Sequence, residues 1–340
     1  MQVIRQRALA RSALVGNPSD GYGGRTLAFT FQQFAATVVL YPWESLEILP
    51  GIEDRNQFRS LDELVDDVRH NGYYGGARLV KATIKRFAEY CRFAGRPLHD
   101  APFSIRYESD IPRGVGLAGS SAIVVATLKC LMAYYDVEIP RRVQPSLARE
   151  TENDELDIAC GWQDRVVQVY EGLVAMDFSS METVEGYWCG DYRRLDASLL
   201  PPLYIAYDTA SRKPSSRVHG PLRDRMQSNE ELSGKMDQIA QLAPEAIAAI
   251  QGRDDAKLNR LIDRNFDLRA SLYQISDAHR ELVMTARGVG ASAQFAGSGG
   301  AIVGSFRDDD MFAALRAALH ARNPDWQLFR PHIESTQAAT

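Results

Sequence analysis

Between Val115 and Leu131 the chain reads VGLAGSSAIVVATLKCL, and its character reverses halfway. Glycine, alanine and serine crowd the first half, which resists regular structure there. The second half is an apolar run broken only by Thr127 and Lys129, the pattern of a helix buried on nearly every side. Gly114, Gly116 and Gly119 let the loop Pro112 to Gly119 turn tightly and aim backbone amides inward. That loop feeds the start of the helix, where unpaired N–H groups and the helix dipole favour an anion. Ser120 and Ser121 stand at the same end, where their hydroxyls can cap the helix or reach a metal ion carried by phosphates. The segment therefore predicts a phosphate cradle. A glycine turn with an ordinary N-cap is the plainer alternative for the same residues.

The rest of the chain narrows what such a cradle serves. With 340 residues there is room for about two domains, and 45% hydrophobic residues supply an ordinary core. The net charge of -5 argues against a nucleic-acid partner, while an anionic small molecule can still find a local positive site. Cys91, Cys130, Cys160 and Cys189 are widely spaced with no CxxC, as expected of reduced thiols. Arginines interrupt the N-terminal MQVIRQRALARSALV, and no apolar stretch reaches the roughly 20 residues of a spanning helix. These features predict a soluble cytoplasmic protein with no membrane partner.

Strands are expected over Arg7–Gly16 and Leu27–Leu40, with the turn-rich Gly16–Arg25 between them. Helical patterns begin at Ser60, with Ser60 as N-cap and Glu63 three residues on, and at Gly76, running to Phe93. FSIRYESDIP alternates as a strand into the glycine loop. A helix over Pro145–Ala159 and a short element over Arg165–Glu171 follow. Pro201-Pro202 reads as a linker, and LYIAYDT as a strand opening the second half. Helices are expected over Leu222–Ile250, Ala256–Tyr273 and Asp277–Val289, then strand, glycine hairpin and strand in AQFAGSGGAIVGSF. Asp308–Arg322 reads as a helix and WQLFRPHI as a last strand. Helices and strands mixed without regular alternation predict α+β.

The chain has neither a Walker A sequence nor a GxGxxG after a strand. Instead Pro112, Arg113, Gly114, Val115, Gly116, Leu117, Ala118, Gly119, Ser120, Ser121 and Ala122 resemble the central ATP-binding motif of the GHMP kinases. That family includes galactokinase, homoserine kinase, mevalonate kinase and phosphomevalonate kinase. RSALVGNPSDGY, with Arg11 five positions before Gly16, resembles the family's first motif. FAGSGGAIVG resembles its third, a hairpin of Gly297, Ser298, Gly299 and Gly300 that closes over the active site. The resemblance implies an N-terminal domain (1–199) with a ribosomal-protein-S5-like fold and a C-terminal ferredoxin-like domain (200–340). It also implies ATP and Mg2+.

TENDELDIACGWQDRVVQVYEG carries the remaining chemistry. In galactokinases a Glu binds magnesium, and an Asp beyond a Cys-Gly turn is the catalytic base; Glu152 and Asp164, twelve positions apart, match that arrangement. Magnesium needs few protein ligands, so Glu152 and Ser121 would suffice, with Glu155 as the other possible ligand in an acidic helix end. Asp164 would accept a proton from the attacking hydroxyl, or else simply pair with Arg165. Arg11 would stabilise charge developing beside that hydroxyl, or else sit exposed at a strand end. Cradle, metal, base and cation are the parts that phosphoryl transfer uses.

GNPSDGYGGRT, NGYYGGARL, GLAGSSAI and GWQDRVVQVYEGLVAMDFS further resemble the glucuronokinase branch, which phosphorylates D-glucuronate at its anomeric carbon. The first motif departs from the Gly-Glu-His-x-Asp of galactokinases, leaving Asn17 and Asp20 as expected sugar ligands. Tyr73, Tyr74, Gly75 and Gly76 suggest a sugar-facing loop, or aromatic packing ahead of a helix. A uronate needs a cation for its carboxylate; Arg25, Arg78 and Arg217 are open choices. His219 reads as a surface residue. Kinases for galacturonate, arabinose or a heptose phosphate, and a non-catalytic sugar-binding relative, remain as alternatives.

Overall fold

A computed structural model describes residues 3–51, 54, 60–61, 75–209, 230–272 and 274–335. Two sheets organise the chain, and each draws on its own part of the sequence. The first holds β1 (Ile4–Val15), β2 (Arg25–Pro42), β3 (Glu47–Leu49), β4 (Phe103–Ser109), β5 (Leu173–Val184) and β6 (Tyr187–Leu195). Their order is β3-β4-β2-β5-β6, with β1 also paired to β2. The long β2 is shared along its length: Arg25–Phe29 pair with β5 and Ala36–Pro42 with β4. Only β3 runs parallel to its neighbour.

Among the described residues four helices accompany this sheet: α1 (Gly76–Phe93), α2 (Gly119–Tyr135), α3 (Gln144–Asn153) and α4 (Gln163–Tyr170). Helix α2 is the apolar run of the glycine loop, and every residue from Ser121 to Leu128 is buried. It packs on β1 and β2, where Ala8, Ala10, Leu14, Phe29 and Phe31 form the core. A helix with no solvent face explains why its sequence has no amphipathic period.

The second sheet orders as β10-β7-β9-β8, all antiparallel. Its strands are β7 (Leu203–Asp208), β8 (Gln294–Phe295), β9 (Ala301–Ser305) and β10 (Trp326–Phe329). The helices α5 (Glu230–Gln251), α6 (Asp255–Leu272), α7 (Asp277–Gly288) and α8 (Asp309–Arg322) complete it. Ser276 caps α7 through the His279 amide, and Asp308 caps α8 through Met311. The Phe329 ring meets Phe31 of β2 at a tilt and Phe34 edge-on, at 5.5 and 5.6 Å, so the sheets share an aromatic contact. This is the α+β class expected from the sequence.

Two local expectations change. The β5–β6 hairpin was not anticipated. Its first half buries Leu173, Val174, Met176 and Phe178, its second half is exposed, and no single period covers both. The two-residue turn Glu185-Gly186, with φ of 49° and 83°, was the available signal. Helix α3 stops at Asn153 rather than Ala159, because Asp157 turns left-handed at φ 58°. The helical pattern after Ser60 and residues 222–229 lie outside the described residues. Cys91, Cys130, Cys160 and Cys189 are free, and among the described residues no helix is long and apolar enough to cross a membrane.

Candidate active site

The site is assembled around one buried guanidinium. Arg11 sits mid-strand on β1, opposite Thr30, and is 4% exposed. Its Nε donates to Asp164 Oδ1 at 2.7 Å. Its Nη1 donates to the carbonyls of Gly116 at 2.6 Å and Ala296 at 2.8 Å. The backbone reinforces the arrangement: Arg11 N–H reaches Leu117 O and Ala13 N–H reaches Ala296 O. One side chain of the first motif therefore touches the other two glycine-containing motifs and the expected base.

The glycines at this junction are explained by crowding. A Cβ on Gly116 would lie 2.9 Å from Gly299 O and 3.0 Å from Ser298 N, and one on Gly297 only 2.1 Å from Gly116 O. Gly116 and Gly300 also take φ of +79° and +87°, open to glycine without strain. The third turn is interleaved with the second. Pro112 and Gly114 enter that loop, and the Leu117 side chain is buried beneath it.

At the start of α2 the N-cap is Ala118, left-handed at φ 65°, and no side chain caps the helix. Ser121 Oγ donates to Ala118 O at 3.2 Å, and Ser120 is half-buried. The hydroxyl N-cap of the plainer alternative is not formed. Gly119 and Ala122 belong to the first turn, so this end offers backbone amides, the ingredient of an anion site. Gln168, on α4, braces the loop by donating to Ala118 O and Leu9 O.

Glu152 lies at the end of α3, wholly buried, and its Oε2 accepts from Arg165 Nε at 2.8 Å and from Nη2. Its Oε1 is buried with no hydrogen-bond partner. Glu155 differs: both its oxygens accept from Lys85, at 2.7 and 2.6 Å. Arg165 also approaches Asp164 Oδ2 at 3.7 Å, linking the two carboxylates. Burial pushes the Cys160 thiol nearby up to about 12, so it stays protonated.

Asp20 reaches the same end of α4. Its Oδ2 accepts from the amides of Trp162 at 2.8 Å and Gln163 at 3.0 Å, and thereby fixes the helical turn that carries Asp164. A Cβ on Gly161 would come within 2.0 Å of that oxygen. Burial, with Asp164 adding, raises the Asp20 carboxyl above the usual carboxylate range, and the two amides and Arg11 oppose it. Asn17 is also engaged: its Oδ1 accepts from Arg269 at 2.8 Å and its carbonyl from Asn265 at 3.0 Å. Arg269 and Asn265 were not singled out in the sequence. Their signal is two polar residues on the buried stripe Leu258, Leu261, Ile262, Phe266, Leu272 of α6.

The expected acceptor residues are more scattered. Gly76 opens α1 with its amide on Asp54 Oδ1, and a Cβ there would lie 2.1 Å from the Tyr107 hydroxyl; packing against Tyr107 accounts for this glycine. Gly75 precedes it as the N-cap. Tyr73, Tyr74, Arg217 and His219 lie outside the described residues. Arg25 pairs with Asp177 at 2.6 Å beside a cavity of about 220 Å³ lined by Ser19, Gly24, Ser179 and Gln241. Arg78 lies on the first turn of α1.

Comparison with known proteins places this geometry. Residues 78–172 match the family described as GHMP kinases N terminal domain. The chain is 43% identical over 307 residues to Glucuronokinase 1 of Arabidopsis thaliana, covering 88% of this chain and 84% of that one. Probable glucuronokinase 2 of the same plant is 44% identical over 309 residues, with the same coverage. The fold superposes on Lactococcus lactis galactokinase complexed with galactose at a TM-score of 0.75, with 17% identity, over 98% of this chain and 94% of that one. At this identity and coverage, the chain belongs to the GHMP kinases.

Proposed function

We propose that this protein transfers the γ-phosphoryl group of ATP to the anomeric hydroxyl of D-glucuronate, giving glucuronate 1-phosphate and ADP. The observation that carries the reading is the Arg11 junction, which sets a cation and a carboxylate together against two glycine turns. The relatives named as glucuronokinases, at 43% and 44% identity, supply the acceptor. We further propose a division into domains at residues 1–199 and 200–340, which the separate membership of the two sheets supports. The four free thiols support a cytoplasmic location.

Asp164 accepts the proton of the attacking hydroxyl. Arg11 orients that carboxylate and stabilises charge that develops on the transferring group. Amides of Gly114 to Ala122 hold the phosphates at the uncapped start of α2. Among the described residues no cluster of three or more His, Cys, Asp or Glu is built for a metal, so a cation here leans on few protein ligands. Glu152 Oε1, buried and unpartnered, and Ser121 Oγ fit a magnesium ion, which supplies neutralisation of phosphate charge when bound. Asp20 and Asn17 hold the walls of the acceptor site through the contacts described above.

The experiment is an ADP-release assay with ATP and magnesium across glucuronate, galacturonate, glucose, arabinose and a heptose phosphate. A charge-assisted hydrogen bond to the uronate carboxylate contributes roughly 1.5–3 kcal/mol. Glucuronate is expected to exceed glucose by at least about tenfold in kcat/KM, and the Met variant of the responsible arginine (Arg25, Arg78 or Arg217) erases most of that. Equal use of the two sugars sinks the uronate reading.

Magnesium provides a second measurement. Glu152→Gln is expected to raise the magnesium concentration for half-maximal activity by about tenfold or more, and Glu155→Gln, whose parent meets only Lys85, to leave it near wild type. The reverse pattern moves the ligand to Glu155.

A further inference from the structure

Arg269 lies on α6 and is 2% exposed, among the largest wholly buried side chains of the protein. Its Nη1 donates both to Asn17 Oδ1 at 2.8 Å and to Gly297 O at 2.6 Å. The first acceptor belongs to the loop after β1, the second to the turn between β8 and β9. Its guanidinium carbon stands 5.1 Å from the Phe295 ring centre. Arg269 therefore grips the residues on both sides of Ala296, whose carbonyl accepts from Arg11. Asn265, one helical turn earlier, continues the contact. It takes the Gly16 amide on Oδ1 at 2.6 Å and donates to Asn17 O, while Gln294 donates to Ala13 O and Leu14 O.

We infer that Arg269 is a positioning residue for phosphoryl transfer: it ties the loop after β1 to the Gly297 turn and so sets the orientation of Arg11. This inference rests on the kinase reading and deepens it. The two ends of the Arg11 clamp come from distant sequence, and the interleaved glycines carry no side chains of their own to lock them. A buried cation serving two neutral oxygens from the two segments at once does so. Its burial strengthens those bonds relative to water. An error of about 1 Å in such a setting costs about a hundredfold in rate.

The test compares Arg269→Met, Arg269→Lys, Asn17→Ala and the Asn17→Ala/Arg269→Met double variant, each well below its own Tm, on whichever acceptor the wild type uses best. A wrong acceptor assignment then shows in the wild-type panel and not in this series. Arg269→Met is expected to lower kcat by about 10- to 100-fold while the KM for ATP moves less than about threefold, and Arg269→Lys to recover part of the loss. The double variant should be no worse than Arg269→Met, since Arg269→Met already breaks the Asn17 contact that Asn17→Ala removes. Amide hydrogen exchange across Phe295–Gly304 gives a readout independent of turnover, and should quicken in Arg269→Met. A lowered Tm with wild-type kcat overturns the inference, as do losses that multiply in the double variant, or unchanged exchange. Where Arg269→Met does not fold, Arg269→Lys carries the same comparisons.

Discussion

Asp164→Asn is expected to keep the fold and nucleotide binding and to lower kcat by about 10²–10⁴, the range that general-base catalysis supplies. The fold survives because the substitution is isosteric and an amide oxygen still accepts from Arg11 Nε, now at 2.7 Å from the carboxylate. Arg11 also keeps its two carbonyl acceptors, so it is not left as a bare buried charge. Stability falls modestly, since Asp164 is 22% exposed and water screens its pairing with Arg11. Nucleotide binding survives because the cradle is backbone. The base is lost outright, because an amide cannot take a proton from the acceptor at neutral pH.

Single-turnover kinetics beside calorimetric nucleotide titration separates these effects. A kcat within about tenfold of wild type, with intact binding, removes Asp164 from the base role. Asp20 is the carboxylate to examine next, yet both helix amides at the start of α4 already share its Oδ2. Asp20→Asn would therefore disturb the Asp164 turn as well, and only the Asp164 variant reads the proton transfer cleanly.

The parts of the site that were legible in the sequence are those written in adjacent residues. The α1 limits, Gly76 and Phe93, follow from a local helical period, and α2 from its unbroken apolar run. The glycine turns were visible, but not how closely they pass one another. Gly116 reads as a tight turn that aims amides inward and Gly297 as part of a closing hairpin, and the structure adds that both stand where two backbones pass too closely for a Cβ. Arg269 was not legible, because its partner Asn17 is 252 positions away and no local pattern encodes that pairing. The Arg165 contact that holds Glu152 escaped for a different reason: Arg165 was weighed only against its neighbour Asp164. The β5–β6 hairpin was missed because its burial changes along each strand, which defeats a search for one period.

Arg11→Met is expected to cost about 10²–10³ in kcat, the loss seen when one preorganised donor is removed from developing negative charge, and to lower Tm as well. Three acceptors lose a bond from Arg11 together: Asp164 Oδ1, Gly116 O and Ala296 O. Ala296 O keeps the Ala13 amide as a donor, so the larger penalty falls on the part-buried Gly116 O, where an unmade hydrogen bond costs up to about 1–3 kcal/mol. Arg11→Lys separates charge from geometry. It keeps a cation at the site, but one ammonium on a shorter stem cannot reproduce three contacts made from two edges of a planar group. If charge alone matters, Arg11→Lys retains most of the wild-type kcat; if the clamp matters, it falls nearly as far as Arg11→Met, and the KM for ATP rises because the Gly116 turn loosens. The junction geometry favours the second outcome, since the two carbonyls belong to separate turns that meet through Arg11. Wild-type kcat in both variants would reduce Arg11 to a structural tie.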